Sequence, residues 1–309
     1  KALGISGDWE SAYLTFTPQY EAGIIEVFGK LVEKGYVYRS LKPIHWCMQC
    51  ETALAEAELE HQDKTSPSIY VNFKLTDTPK DIFPEIQEED AHMLIWTTTP
   101  WTLPANLAIA VHPEFQYTAV RYINPKTQKK QVSIVAEDLA DSVMKLQEIE
   151  EYERLGSVKG SSLECLKYQH TIMKREGSVV LANYVTLTDG TGCVHTAPGH
   201  GQDDYQTGLK YKMPIVSPVD AIGVFTEEAG DFAGLNIYDA NKTIAEKLDE
   251  LGLMLHMEKI NHSYPHCWRC RKPVIFRATE QWFVGIDHKD LRTNALDEIK
   301  KSDWIPSWG

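Results

Sequence analysis

Apolar residues recur along this chain with two different spacings. In TPQYEAGIIEVFGKLVEKGY they return every three or four positions, which predicts an amphipathic helix that ends at Gly35. The same spacing predicts helices at 137–149 and 239–251 and in HKDLRTNALDEIKK, and a shorter helix is expected in YQTGLKYK.

Between residues 66 and 235 the dominant spacing is two, which is typical of strands. The clearest alternation is in SIYVNFKL, where four apolar side chains are expected on one face: Ile69, Val71, Phe73 and Leu75. Further strands are expected in MLIWTTT, LAIAV, QYTAVRYI, QVSIVA and SVVLANYVTL. Many strands with few crossover helices favour a mixed α/β (α+β) fold, a strand-rich and barrel-like domain with peripheral helices, over a doubly wound sheet.

The composition is that of an ordinary globular protein, with 43% hydrophobic and 24% charged residues in a chain of 309. No apolar run approaches the roughly 20 residues of a membrane-spanning helix. No signal peptide is recognisable either, so we expect a cytoplasmic protein without membrane contact. The sequence begins with Lys1 rather than Met, and we expect it to be a piece of a larger protein.

The formal net charge of −13 argues against a general nucleic-acid binder, which needs a broad basic face. This net charge is still compatible with a protein that binds only one end of a nucleic acid. One local exception is the stretch 259–277, which holds five basic residues and no acid. A solvated basic loop explains that stretch equally well.

Four of the six cysteines form two Cys-x-x-Cys pairs, Cys47 with Cys50 and Cys267 with Cys270. The spacing lets both sulfurs of a pair reach one ion, and four thiolates make a closed, structural zinc site. Two independent redox pairs or four plain thiols are the alternatives. A shared zinc ion predicts that 1–65 and 255–309 form one small supporting module, into which the strand-rich domain at 66–254 is inserted.

The segment WTTTPWTLPAN, residues 96–106, ends an expected strand in three threonines: Thr97, Thr98 and Thr99. Pro100 then stops the strand, because proline lacks the N–H that a ladder requires. Neutral hydroxyls on a fixed backbone can donate to and accept from an ester, so the segment is a candidate wall of a polar pocket. A threonine-rich edge strand followed by a turn is the structural alternative.

The segment GTGCVHTAPGHGQDDY, residues 190–205, contains four glycines that allow the backbone to approach a ligand closely. Its two acids begin the short helix, and we interpret Asp203 as the N-cap and Asp204 as a ligand-binding carboxylate. His195 fits a ligand-facing or a core histidine equally well, and His200 is the weaker candidate. The sequence contains no Gly-x-Ser-x-Gly elbow, His-Glu-x-x-His motif or Walker loop.

Together these segments resemble the connective (editing) insertion of bacterial-type, class I isoleucyl-tRNA synthetases. The resemblance runs along the whole sequence and is carried by WTTTPWTLPAN, GTGCVHTAPGHGQDDY, KTSPSI, HSYPHCWRC and RATEQWF. The synthetic half of such enzymes carries His-Ile-Gly-His and Lys-Met-Ser-Lys-Ser signatures, which this sequence lacks. We therefore expect neither isoleucine activation nor ATP consumption by this chain.

The resemblance implies post-transfer editing, the hydrolysis of mischarged Val-tRNA(Ile). A pocket that fits isoleucine binds valine less tightly by only about 1–3 kcal/mol, because the two side chains differ by one methylene. The isoleucyl enzyme is itself the standard example of this limit. By resemblance, Asp204 holds the α-ammonium of valine, and threonines 97–99 bond the ester, the terminal ribose and a water. Trp101 walls the pocket, and Asn106 fixes the loop or the terminal adenosine. His195 limits the side-chain depth.

The resemblance also implies partners and cofactors. The partners are the acceptor end of tRNA(Ile) carrying valine and the rest of the parent synthetase, and we expect a monomer. Structural zinc is expected on the four paired cysteines, with no cofactor at the editing site. Two rival interpretations remain: a binding module that only positions the acceptor end, and a zinc hydrolase, which needs an open coordination position.

Overall fold

The structure is a computed structural model that describes every residue except 1–3, 5, 77, 87–89 and 309. The chain divides into two compact units. The smaller unit comprises the described residues up to Leu41 and those from Glu280 onward, and the larger unit is Lys42–Thr279. All candidate site residues lie in the larger unit.

Helices and strands are distributed along the chain as follows. The helices are α1 (Pro18–Glu33), α2 (Ala140–Leu146), α3 (Gln202–Lys210), α4 (Ile237–Glu250) and α5 (Leu291–Lys301). The strands are β1 (Val37–Cys47), β2 (Thr52–Leu54), β3 (Leu59–Lys74), β4 (Asp90–Thr97), β5 (Ala108–Val111), β6 (Gln116–Ile123), β7 (Lys130–Ala136), β8 (Tyr152–Lys159), β9 (Lys167–Gln169), β10 (Glu176–Leu181), β11 (Val194–Thr196), β12 (Met254–Cys267) and β13 (Ile275–Val284).

Most strands of the larger unit form one strongly curled sheet in the order β8-β6-β7-β4-β11-β5-β10-β9, with β3 paired to β4 and β12 paired to β3. The sheet is mixed: β4 is parallel to β7 and β11, and β5 is parallel to β10, whereas the other pairs are antiparallel. β13, β1 and β2 form a separate sheet. The predicted mixed α/β, barrel-like architecture is confirmed.

Side chains cover both faces of this sheet. In β4, Met93 and Ile95 enter the main core together with α4, whereas Leu94 enters a second cluster together with α2. The predicted apolar face of SIYVNFKL lies entirely in the main core: Ile69, Val71 and Phe73 of β3 and Leu75 directly after it. Because central strands are buried on both sides, their sequences read as nearly continuous apolar runs.

The predicted helices are present with shifted ends. The helix expected at 137–149 begins as a 3₁₀ turn, Glu137–Leu139, and continues as the shorter α2. α1 and α4 end before Gly35 and Gly252, whose φ values of +75° and +68° are those of left-handed caps. Every residue of α1 and α5 is described, and neither helix buries a side chain. None of the described helices is long and apolar enough to cross a membrane.

A long two-stranded ladder links the cysteine pairs to the curled sheet. β3 and β12 pair from Leu59 opposite Cys267 to Val71 opposite Met254. The predicted domain boundaries, after residues 65 and 254, both fall within these strands. The division into 1–65, 66–254 and 255–309 therefore stays a prediction.

The turn before β11 packs closely against β7, so a side chain added at Gly192 should destabilise the fold. Gly192 has φ +73°, and a Cβ there would lie 2.4 Å from the Cβ of Ala136. We predict that Gly192→Ala lowers the free energy of unfolding by about 2–5 kcal/mol. This range combines the strain of a left-handed backbone, about 1–2 kcal/mol, with overpacking of about 1–3 kcal/mol. Urea denaturation followed by circular dichroism measures the loss.

Gly234→Ala is the matched control. Gly234 has a similar φ of +81°, but no described atom lies within 4 Å of its Cβ position. This variant should lose only the backbone part, about 1–2 kcal/mol. Equal losses of unfolding free energy in the two variants would show that the contact with Ala136 does not contribute to stability.

Candidate functional site

The two polar segments meet at a cavity where β4 and β11 end side by side. The strands run parallel with Val194 opposite Trp96, so the residues that follow them emerge at one edge of the sheet. The cavity has a volume of about 260 Å³. Its described lining consists of Trp96, Thr97, Thr98, Thr99, Thr102, Val194, His195, Ala197, His200 and Asp204.

Five predicted site residues belong to this lining and two do not. The five are Thr97, Thr98, Thr99, His195 and Asp204. Trp101 and Asn106 are buried outside the described lining, at 5% and 1% exposure. The cavity therefore contains residues of both predicted segments, while Trp101 and Asn106 lie behind its described lining.

The threonines form a connected row because the chain turns tightly after β4. Pro100–Ala105 is a fully buried 3₁₀ helix. Upstream of it, the Thr99 N–H donates to the Thr97 hydroxyl at 3.2 Å; within it, the Thr102 hydroxyl donates back to the Thr99 carbonyl at 2.8 Å. Sequence analysis missed Thr102. The signal that identifies it is its i+3 spacing from Thr99, which places both residues on one side of a 3₁₀ turn.

His195 is a buried histidine with both ring nitrogens bonded. Nε2 lies 2.8 Å from the Thr102 hydroxyl, and Nδ1 lies 2.8 Å from Nδ2 of Asn106. The same Asn106 nitrogen donates to the carbonyl of Ala108 at 2.9 Å, which identifies it as the amide N–H₂. Nδ1 of His195 therefore accepts, and the ring proton is on Nε2. Burial lowers the pKa of His195 to about 3, so the ring is neutral at physiological pH.

His195 is thus both a satisfied core histidine and part of the cavity wall. With both nitrogens occupied, the ring has no free lone pair for proton abstraction. It bounds the cavity as a fixed, uncharged surface.

Asp204 supplies the negative charge of the cavity. It is half-buried on the first turn of α3, and its Oδ2 accepts a hydrogen bond from the Ala197 N–H at 2.7 Å. Burial raises its pKa to about 6, so the carboxylate is ionised above that pH. No cationic side chain belongs to the described lining, which means that this charge has no counter-ion within the cavity.

The neighbouring acid does not have the predicted capping role. The N-cap of α3 is Gly201, and Asp203 lies in the exposed first turn. A negative charge there interacts favourably with the positive end of the helix dipole without being the cap residue.

His200 belongs to the described lining, and Trp101 packs behind it. Nδ1 of His200 donates to the Phe276 carbonyl at 2.9 Å, while Nε2 is buried with no hydrogen-bond partner among the described residues. Burial lowers the pKa of His200 to about 4. The indole of Trp101 packs edge-on against this imidazole with 5.0 Å between ring centroids, and its backbone N–H donates to Asn241 at 3.0 Å. Trp101 therefore holds a wall residue in place.

The four paired cysteines converge, as the sequence predicts. The ligand atoms of Cys47, Cys50, Cys267 and Cys270 lie within 4.8 Å of one another. Tetrahedral coordination with metal–sulfur bonds of about 2.3 Å separates sulfurs by about 3.8 Å, so the cluster fits such an ion. The four residues can therefore hold a metal. The described cavity lining contains none of them.

The basic stretch 259–277 is largely paired within the chain. Arg269 lies 3.7 Å from Glu58, and Arg271 forms an ion pair with Glu60. The guanidinium of Arg277 lies 5.0 Å from the centroid of the Trp46 ring, in a cation–π contact. Three of its five cations thus have partners.

Comparison with known proteins places this chain in a sequence family. The chain matches tRNA synthetases class I (I, L, M and V) over residues 1–309. It is 53% identical over 309 residues to the isoleucine–tRNA ligase of Kosmotoga olearia and 51% identical over 311 residues to that of Thermotoga maritima. Each alignment covers 100% of this chain but 32% of the relative, so the chain spans about a third of these curated relatives.

A solved structure supports the fold. The chain is similar to the editing domain of the cytosolic leucyl-tRNA synthetase of P. knowlesi, with a TM-score of 0.53 and 11% sequence identity. That similarity covers 63% of this chain and 97% of the other and shows a common fold. Since the family match extends over residues 1–309, the chain belongs to the class I tRNA synthetases (I, L, M and V).

Proposed function

We propose that this chain is the editing part of an isoleucyl-tRNA synthetase and hydrolyses the ester of Val-tRNA(Ile). The observation that carries the proposal is the Asp204 carboxylate in a cavity whose described lining has no cation. An aminoacyl ester has a free α-ammonium, which supplies the missing positive charge through a charge-assisted hydrogen bond. The family match and the fold of the leucyl editing domain support the same conclusion.

The neutral walls of the cavity suit the rest of this substrate. The hydroxyls of threonines 97–99 can bond the ester carbonyl, the terminal ribose and a water without introducing charge. His195 limits the depth of the cavity, so that valine enters and the additional methylene of isoleucine is excluded. Asn106 takes the loop-fixing role rather than contacting the terminal adenosine, because its side chain is 1% exposed and bonded within the chain.

Among the described lining residues there is no strong general base for the hydrolytic water. His195 has no free nitrogen, and His200, with a pKa of about 4, is a poor base at neutral pH. Asp204 is assigned to the ammonium. We therefore assign water activation to the neighbouring ribose hydroxyl of the substrate, while the cavity contributes orientation and electrostatic stabilisation.

The cysteine cluster has a structural role in this proposal. Four thiolates favour zinc and leave it no open position, so the ion stabilises the fold and takes no part in hydrolysis. This separates the proposal from a zinc hydrolase. The chain acts in the cytoplasm as a monomeric part of the parent enzyme, whose other regions deliver the acceptor end of tRNA(Ile) to the cavity.

The decisive test is hydrolysis itself. We predict that the chain releases valine from Val-tRNA(Ile), spares Ile-tRNA(Ile), and that Asp204→Asn lowers kcat/KM for the valyl ester by about a hundredfold. Asparagine keeps the acceptor for the Ala197 N–H but lacks the charge that pairs with the ammonium, and such losses are typically of this size. Release of labelled valine measures both rates.

Asp203→Asn is the matched control, since it removes the adjacent, exposed carboxylate and should leave the rate within about twofold. Valyl-adenosine ester at high concentration serves as a second substrate that requires no tRNA docking. A folded Asp204→Asn chain with the original rate would refute the ammonium assignment. A chain that binds either substrate without cleaving it would favour the binding module.

The pKa of Asp204 predicts the pH dependence of the reaction. Because the ionised carboxylate pairs with the α-ammonium of the substrate, kcat/KM should rise about tenfold per pH unit towards pH 6 and fall again as that ammonium loses its proton at about pH 8. The pKa values of His195 and His200, lowered by burial to about 3 and about 4, place their titrations below this inflection. Initial rates between pH 5 and 8, corrected for uncatalysed hydrolysis, provide the measurement. An inflection that persists in Asp204→Asn would assign it to another group.

Metal analysis tests the cysteine cluster. We predict about one zinc ion per chain, its loss in Cys50→Ser, and a lower thermal unfolding midpoint in that variant, because bound metal stabilises the folded state. Cys165→Ser, which replaces an exposed cysteine outside the cluster, should keep both the zinc and the midpoint. Zinc-free chain that remains folded should still release valine; its complete inactivity would revive the zinc hydrolase.

A further inference from the structure

Tyr168 lies outside the described lining but is bonded to it through one intermediate. Its side chain is fully buried on β9, and its hydroxyl donates to Oδ1 of Asn106 at 2.6 Å. The ring packs edge-on against Phe73 with 5.3 Å between centroids. Burying a phenol hydroxyl is costly without a partner, so this bond defines where the side chain can lie.

The neighbouring strand is shaped to admit this ring. Gly177 of β10 lies directly opposite Tyr168 in the ladder. A Cβ at position 177 would be 2.1 Å from Cζ of the tyrosine and 2.2 Å from its hydroxyl oxygen. The phenol therefore occupies the space that any other residue at 177 would fill.

Two hydrogen bonds fix the orientation of the Asn106 amide. The Ala108 carbonyl can only accept and therefore faces the amide nitrogen, and the Tyr168 hydroxyl donates to the amide oxygen on the other side. A reversed amide would face carbonyl against carbonyl. The nitrogen therefore also faces Nδ1 of His195, which has to accept. Nε2 of His195 is then left to donate to Thr102.

We propose that Tyr168, in the space left by Gly177, is a positioning residue that holds His195 in one orientation and in the Nε2–H tautomer through Asn106. Without the hydroxyl, the amide loses one of its two fixed partners, and the imidazole gains freedom to turn and to exchange tautomers. An effect of Tyr168 on the selectivity between valyl and isoleucyl esters rests on the proposed function. Its effect on the tautomer of His195 is independent of that function.

The test compares Tyr168→Phe with Tyr122→Phe. Tyr122 is also buried, and its hydroxyl lies 2.8 Å from the Ser133 hydroxyl, outside the described lining. Both variants delete one buried, bonded hydroxyl, and only the first touches Asn106. The readouts are the ¹⁵N NMR shifts of the His195 ring, identified by their absence in His195→Ala, and the ratio of valyl to isoleucyl ester hydrolysis.

Wild-type protein should show an unprotonated Nδ1 and a protonated Nε2 at His195. In Tyr168→Phe we expect these shifts to move towards tautomer exchange and the valyl-to-isoleucyl ratio to fall about tenfold. Tyr122→Phe should keep the wild-type shifts and a ratio within about twofold. A loss of general stability would affect both variants alike and leave the His195 shifts of the folded state unchanged.

Three results would overturn the proposal. The first is a protonated Nδ1 in the wild-type chain, a measurement that requires no variant. The second is a folded Tyr168→Phe with wild-type His195 shifts, and the third is an equal change in Tyr122→Phe. If the wild-type chain cleaves neither ester, the proposed function fails, while the NMR comparison still decides the role of Tyr168.

Discussion

The cavity depends on β11, a strand of three residues that lies between β4 and β5. Its parallel pairing with β4 carries the second polar segment to the edge where the first one ends. So short a strand makes few ladder bonds of its own. Contacts at its two ends therefore fix it: the close approach of Gly192 to Ala136 before it, and the bond between Asp204 and the Ala197 N–H after it.

The negative charge of this cavity and its rigid neutral walls come from different residues. The charge is concentrated in one carboxylate, which faces walls of hydroxyls and neutral imidazoles among the described residues. Low pKa values keep these imidazoles uncharged, so they cannot repel a cation or neutralise the carboxylate. Under the proposed function, the carboxylate would hold the ligand at its charged end, and the rigid neutral wall would limit the length of its side chain.

Sequence reasoning succeeded where a local pattern determines the outcome. Alternation located the buried face of β3, helical spacing located α4, and cysteine spacing predicted the convergence of the two pairs. It also identified Thr97, His195 and Asp204, which the structure brings to one cavity, although their assigned roles stay proposals.

The omissions have a common cause, because they depend on pairing between distant segments. A single tyrosine in a three-residue strand has no period, so Tyr168 carries no signal until β9 is placed beside β10. Asp203 was misassigned as a cap because helix ends vary by a residue or two, and Gly201 precedes it in that position. The tautomer of His195 depends on Ala108, a backbone carbonyl that no side-chain pattern reveals.

The ladder of β3 and β12 has a consequence for how such chains can change in length. A two-stranded ribbon is only marginally stable alone, and this one is held by the cysteine cluster at one end and by the curled sheet at the other. Inserting one residue in each strand would turn every following side chain to the opposite face. Inserting two in each would preserve the faces and add about 7 Å. The length of the ribbon can therefore change without reversing its faces only when both strands gain or lose the same even number of residues.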